Sequence, residues 1–246
     1  MFVSFSKSAV AVRRVKRLKC SVWASGKLHS LSKAGFRDSV CWFVTLTYVG
    51  VRDWKANHMS KALLTYRHWC KSLSIPCKYT WVAELQSRGA VHYHLLCWLP
   101  VGVSMPFWDK LTRTTKGAYR EAFWPHGMTN TQKCTSGVGY LMKYLSKLGE
   151  LTVFPKGLRL YGIGGLDEQA RMCRSWFNLP TWAKSEYGVG ELLKKPCGFV
   201  VRATGEILAP AFAITQKCRE YMDLQPTREI PEKWWSGVYS TYPKAY

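Results

Sequence analysis

Three groups of side chains in this sequence are spaced for chemistry. The densest is Glu84-Leu-Gln86-Ser-Arg-Gly-Ala-Val-His92-Tyr-His94. Side chains alternate along a strand, so His92 and His94 share a face. Two imidazoles on a rigid strand suit a divalent cation, although an H-x-H pair on its own also reads as two solvent-facing polar residues. The short Gly-containing link between the two stretches predicts a hairpin. With Gln86 opposite His92, Glu84 falls opposite His94 and all four share one face. A slip of one residue would turn Glu84 away. Two neutral imidazoles and one carboxylate, with positions left for water and a phosphate oxygen, make a catalytic metal site. Glu84 is the expected third ligand because it carries charge, and Gln86 is the alternative.

The second group is Tyr140, Lys143, Tyr144 and Lys147. On a helix these positions form one stripe. Leu141, Leu145 and Leu148 form the buried one. A packed amphipathic helix with half-buried tyrosines accounts for the pattern without chemistry. Tyrosines flanked by lysines also suit attack on a phosphodiester. A nearby cation favours the phenolate and neutralises charge growing on phosphate oxygens. The third group is the cluster Arg13, Arg14, Lys16, Arg17 and Lys19, read equally well as a solvated helix face or a phosphate-contacting arm.

Elements must hold these groups in place. Cys41–Tyr48 reads as a strand, Met59–Leu73 as a helix, and Lys78–Gln86 and Val91–Leu99 as the two hairpin strands. Residues 107–123, between two prolines, read as a helix. Met128–Lys133 reads as a short strand and Gly137–Leu148 as the tyrosine helix. The order predicts an α+β fold: a ferredoxin- or RRM-like βαββαβ antiparallel sheet with helices on one face, plus one further helix. Residues 1–38 read as a basic, irregular arm, 39–150 as the catalytic domain and 151–246 as an accessory region. In that region Leu166–Phe177 suggests a helix, and Gly198–Ala203 with Glu206–Phe212 suggests a hairpin. Gly162-Ile-Gly164-Gly165 reads as a turn, since no phosphate-loop pattern exists here.

Composition narrows the partner. The 246 residues carry 36 Lys and Arg against 15 Asp and Glu, a formal charge of +21. An excess this large points to a polyanion, nucleic acid above an anionic membrane surface. The longest nearly unbroken apolar stretch, Leu95 to Val103, is far too short to span a bilayer. The N-terminal order, apolar before basic, is the reverse of a secretory signal, so the expected compartment is the cytoplasm. The 9 cysteines lack any C-x-x-C pair, so free thiols are expected rather than a zinc ribbon.

Phe43-Val-Thr-Leu-Thr-Tyr48, Glu84 with the His92-Tyr-His94 triplet, and Tyr140-Leu-Met-Lys-Tyr-Leu-Ser-Lys147 resemble, in order, the three motifs of HUH endonucleases. The paired tyrosines are similar to the two-tyrosine branch of phage rolling-circle replication initiators. Trp124-Pro-His-Gly127 is similar to the same stretch in initiators of small single-stranded DNA phages, of the filamentous type among others. The resemblance covers residues 41–148. It implies the HUH fold, with His92, His94 and Glu84 as ligands of Mg²⁺ or Mn²⁺. It implies Tyr140 and Tyr144 as nucleophiles, and Lys143 and Lys147 as groups that orient or neutralise phosphate. Thr45 and Thr47 would play a supporting role. The implied activity is site-specific nicking and rejoining of single-stranded origin DNA through a 5′-phosphotyrosine, without ATP. Arg88 and the basic arm would contact DNA, and a host helicase would separate strands. A transposase or relaxase with the same chemistry, and a non-catalytic RRM-like binding protein, are the alternatives.

Overall fold

The computed structural model describes residues 3–31, 39–110, 112–113, 119–120, 122–135, 137–146, 154–195, 198–208, 212–217 and 221–226. In chain order the elements are β1 (Val3–Ser6), α1 (Lys7–Leu31), β2 (Ser39–Thr47), α2 (His58–Ser72), β3 (Lys78–Leu85) and β4 (Val91–Pro100). Then come β5 (Thr112–Arg113), β6 (Tyr119–Arg120), β7 (Thr129–Lys133), α3 (Gly137–Ser146), β8 (Tyr161–Gly164), α4 (Glu168–Phe177) and α5 (Thr181–Glu186). The last are β9 (Leu192–Lys195), β10 (Gly198–Val201), β11 (Ile207–Leu208), β12 (Phe212–Lys217) and β13 (Tyr221–Pro226). The chain divides into two compact units, Val15–Arg174 and Met1–Arg14 with Ser175–Tyr246.

The larger unit is built on a five-stranded antiparallel sheet in the order β7-β2-β4-β3-β8. Chain reversal through α2 leaves a gap between β2 and β3 that β4 fills, as the split β-α-β pattern requires. The α+β expectation and its RRM-like sheet are compatible with this order. Strand periodicity sorts the core. Val44, Leu46, Tyr93, Leu95, Trp81 and Ala83 pack with Met59, Leu63 and Tyr66 of α2 on one face. Phe43, Val82, Leu96 and Trp98 pack with Leu18 and Val22 of α1 and Leu141 and Leu145 of α3 on the other.

Four expectations are corrected. Helices cover both faces of the sheet, not one. The helix expected over 107–123 does not form. The backbone N–H of Trp124 donates to Trp108 O at 2.7 Å, and β5 pairs with β6 between them. A helix of that length would hold those two residues roughly 24 Å apart. Burial of Trp108, Phe123 and Trp124 in the α2-side core overrides helix propensity there. Residues 7–31 form a helix rather than an irregular arm. The buried stripe of this helix is Leu18, Val22, Ser25 and His29, so small and polar residues hide its amphipathic pattern. Finally, Tyr161–Gly164 is a strand beside β3, not a turn. A Cβ at Gly162 would stand 2.3 Å from Trp81 Nε1, and one at Gly164 would stand 2.4 Å from Tyr79 Cζ. These glycines let the edge strand pass beneath two large rings of β3.

In the smaller unit, β1-β13-β12 and β11-β10-β9 form two three-stranded sheets. Leu179, Trp182, Ala183, Leu192 and Leu208 form its core cluster. The expected helix near 166–177 is α4, where Asp167 Oδ1 accepts from Ala170 N at 2.7 Å and caps the first turn. The expected hairpin is β10–β11, turned at Gly205 with φ +73°. Its continuation through residues 209–211, and the aromatic tail Trp234, Trp235, Tyr239, Tyr242 and Tyr246, lie outside the described residues. Among the described residues no helix is long and apolar enough to cross a membrane, and the seven described cysteines are free thiols.

Candidate active site

The hairpin β3–β4 sets the site. Its last pair is Leu85 with Val91, and Glu84 lies opposite His92, with Val82 opposite His94. The register therefore differs by two residues from the expected one. The cause is the tip: Gln86 N donates to Ala90 O at 2.9 Å and Gly89 N to Gln86 O at 2.8 Å, which closes a loop of five residues. Gly89 has φ +86°, a conformation that favours glycine. A shift of two preserves the face, so Glu84, Gln86, His92 and His94 still line one cleft. Glu84 reaches diagonally: its Oε2 lies 2.9 Å from His94 Nε2. Arg88 braces the tip. Its guanidinium donates to Gln86 Oε1 at 2.9 Å, to Val49 O at 2.8 Å and to Tyr48 O. This occupies the Gln86 oxygen and makes Glu84 the better-placed oxygen ligand.

On the other side of β4, Thr45 lies opposite His94 and Thr47 opposite His92. Their hydroxyls approach Nδ1 of those rings at 3.4 Å and 3.5 Å. Both distances are long, but both turn the Nδ1 side of each ring toward β2. Ligand imidazoles are held in this way, by a partner on the nitrogen that does not bind metal. Thr47 is itself fixed at the end of β2. Its N–H donates to Met128 O at 3.0 Å, and its carbonyl accepts from Trp124 Nε1 at 3.0 Å. A Cβ on Gly127 would stand 2.3 Å from that carbonyl, so the 124–128 loop presses directly on the strand.

Helix α3 lays its tyrosines over the histidines. The close approach depends on glycine: a Cβ on Gly137 would stand 2.8 Å from both Cys41 Sγ and Leu96 Cδ2. A Cβ on Gly26 would stand 2.6 Å from Val138 Cγ2, so α1 packs closely behind α3. Leu141 and Leu145 are buried against the sheet. Tyr144 stacks on His94 with ring centroids 3.5 Å apart and planes 21° apart. Tyr140 meets Tyr144 edge-on at 5.6 Å and Phe43 edge-on at 4.7 Å. Burial pushes the Tyr144 phenol up to about 12, and its hydrogen bond to Tyr140 and the charge of Glu84 act in the same direction. Tyr140 is 38% exposed, so the two phenols sit in unlike surroundings. Lys143 Nζ lies 5.9 Å from the Tyr140 ring centroid, within cation–π range. Lys147 lies outside the described residues.

Phe43, Thr45, Glu84, His92, His94, Tyr140 and Tyr144 thus border one open cleft of about 530 Å³. Asn130 and Gln132 of β7 complete its lining, and neither was among the residues expected from sequence. Alternation along Thr-Asn-Thr-Gln-Lys was the signal, since residues 130 and 132 share a face of any strand. Among the described residues no three His, Cys, Asp or Glu side chains stand close enough to hold a metal ion as they are. The donor chemistry nevertheless fits one. His94 Nε2 and Glu84 Oε2 at 2.9 Å are spaced like neighbouring donors around a cation with bonds of about 2.1 Å. The His92 ring centroid is 4.7 Å from that of His94 on the same side of the sheet.

The remaining candidates separate. Lys16 and Arg17 are exposed on α1 and Lys19 is half-buried, while the side chains of Arg13 and Arg14 lie outside the described residues. His58 and His126, expected to stand apart, stack with centroids 3.7 Å apart, and Tyr48 Oη lies 3.2 Å from His58 Nδ1. Burial, and then neighbouring positive charge, lowers the pKa of both rings. Burial followed by Lys78 pushes His29 down to about 4, which keeps it neutral inside the core.

Residues 41–149 match the family model of replication-associated proteins of the ORF2 type. The match spans β2 through α3, the elements that carry the whole cleft, and covers less than half of the chain. It supports a role in initiating rolling-circle replication, with DNA as partner. No curated protein and no solved structure gives a significant match.

Proposed function

We propose that this protein is a metal-dependent HUH endonuclease that starts and ends rolling-circle replication by nicking and rejoining single-stranded origin DNA. The observation that carries the reading is the stacking of Tyr144 on His94, with Tyr140 one helical turn away and Glu84 bonded to the same histidine. Two nucleophile candidates and a cation-binding donor set therefore open on one cleft. His92, His94 and Glu84 would hold Mg²⁺ or Mn²⁺, which when bound polarises a phosphate and stabilises its developing charge.

The chain's own groups do the rest. A tyrosine Oη attacks the phosphorus and loses its proton. The P–O3′ bond breaks, and the 3′ oxygen leaves as a hydroxyl once protonated. The 5′ phosphate stays esterified to the tyrosine. No bond energy is lost to water, so rejoining by the 3′-OH needs no ATP. Lys143, beside Tyr140, adds positive charge where phosphate oxygens gather it. The second tyrosine attacks the regenerated site after one round of synthesis, and the released 3′-OH closes the circle. The net charge of +21 supports sequence-independent grip on the strand.

The test is a cleavage assay on single-stranded DNA with and without Mn²⁺, with denaturing gels to detect a protein–DNA adduct. Metal-dependent nicking with a tyrosine-linked 5′ phosphate is expected. DNA binding with no cleavage under any divalent metal would favour a purely binding role and overturn the reading.

A further inference from the structure

The cleft has an uncharged side that the proposed chemistry does not use. β7 is the edge of the sheet, and its Asn130 and Gln132 are exposed on the face that carries the histidines. Their place is fixed by pairing. Asn130 lies opposite Thr45, which lies opposite His94, so the three form a line across the sheet. Gln132 lies opposite Phe43 in the next row of that face. Two strand spacings put Asn130 about 10 Å from His94, the reach from a phosphate at the metal ligands to the base of an adjoining nucleotide. Helix α3 packs mainly on β3, β4 and β2, so the cleft lies open on the β7 side. A strand leaving the tyrosines in that direction crosses the two amides.

Charge alone does not choose a site to cut. Lysine and arginine hold phosphates whatever the sequence, and base edges are read by groups with directional donors and acceptors. A carboxamide presents one donor and one acceptor side by side. That pattern matches adenine, which offers N6–H₂ beside N7. Residues i and i+2 on a strand are roughly 6.8 Å apart, so each amide can face its own base.

We propose that Asn130 and Gln132 are specificity-determining residues that select adenine at two successive nucleotides on the β7 side of the scissile phosphate. The inference rests on the nickase reading and deepens it. The exposed positions make these residues dispensable for the core, so their removal tests recognition rather than folding.

The experiment uses the full chain, Mn²⁺ and a pool of single-stranded DNA randomised over a central window. Both cleavage products are sequenced. Wild-type protein should cut with adenine enriched at two adjacent positions on one side of the nick, by roughly 5- to 150-fold over the other bases. Asn130→Ala should flatten one of these positions and Gln132→Ala its neighbour, with other preferences kept. Salt-sensitive binding to the pool should stay unchanged, because no charge is altered. Enrichment that survives both substitutions, or no adenine preference beside the nick, overturns this inference while leaving the nickase intact. Absence of any wild-type cleavage product overturns the nickase reading and this inference with it.

Discussion

Replacing Thr45 by Val should weaken the metal site without touching a ligand. Valine keeps the β-branched shape opposite His94 and removes only the oxygen 3.4 Å from Nδ1. The hydrogen bond is long, so its removal belongs at the low end for a neutral pair, about 0.5–1 kcal/mol. That is a factor of about two to five in an equilibrium constant. Weaker control of ring orientation adds to it, and partners of metal-bound histidines are worth about 10- to 100-fold in affinity. The expected result is Mn²⁺ binding about five- to tenfold weaker. Thr47→Val, whose hydroxyl stands 3.5 Å from His92 Nδ1, should cost the same or less. Calorimetric titration and the Mn²⁺ concentration for half-maximal nicking should shift together, with the rate at saturating Mn²⁺ nearly kept. In a His94→Ala background Thr45→Val should add nothing, since no ring remains to orient. Unshifted metal binding in both threonine variants would refute the idea that β2 orients these histidines.

The ligands themselves should rank by charge and position. Glu84→Ala should reduce metal-dependent nicking more than Gln86→Ala, whose oxygen already accepts from Arg88, and equal losses would contradict the diagonal Glu84–His94 geometry. Gly162→Ala should destabilise the larger unit by about 1–3 kcal/mol, read by urea unfolding, because a Cβ 2.3 Å from Trp81 forces a buried indole to move. The double change Lys16→Gln, Arg17→Gln should reduce the salt slope of single-strand binding by about 0.7 for each phosphate that this face neutralises in the wild type, and an unchanged slope would make that face of α1 a bystander.

The site was more legible than its frame, for physical reasons. A period of two put His92, His94 and Glu84 on one face, and the error of two residues in register could not move them off it. A period of 3.6 put both tyrosines on one stripe. The exact pairing depended on a five-residue tip whose closing bonds involve backbone alone, and side-chain types do not announce those. α1 was hidden because Ser25 and His29 occupy its buried face. The 107–123 segment misled because flanking prolines and scattered apolar residues suit a helix, whereas packing of Trp108 with Phe123 at 5.4 Å draws the ends together. The glycines of β8 looked like a turn because the reason for them, two rings on the neighbouring strand, is remote in sequence. Asn130 and Gln132 carry no charge and do not titrate, so nothing in their residue types marks them as part of a catalytic cleft. The side of a cleft that reads a substrate need not titrate.

The central claim is that two tyrosines on α3 attack DNA above the histidine–carboxylate cluster. Mapping the covalent adduct in wild type, Tyr140→Phe, Tyr144→Phe and the double variant tests it most directly. Phenylalanine keeps the ring that stacks on His94 and removes only the nucleophilic oxygen. Each single variant should form an adduct on the remaining tyrosine and fail to release closed circles more severely than it fails to nick. The double variant should bind DNA and form no adduct. A double variant that still forms an adduct at the wild-type rate, or a wild-type adduct mapped to any residue other than Tyr140 and Tyr144, would contradict the account.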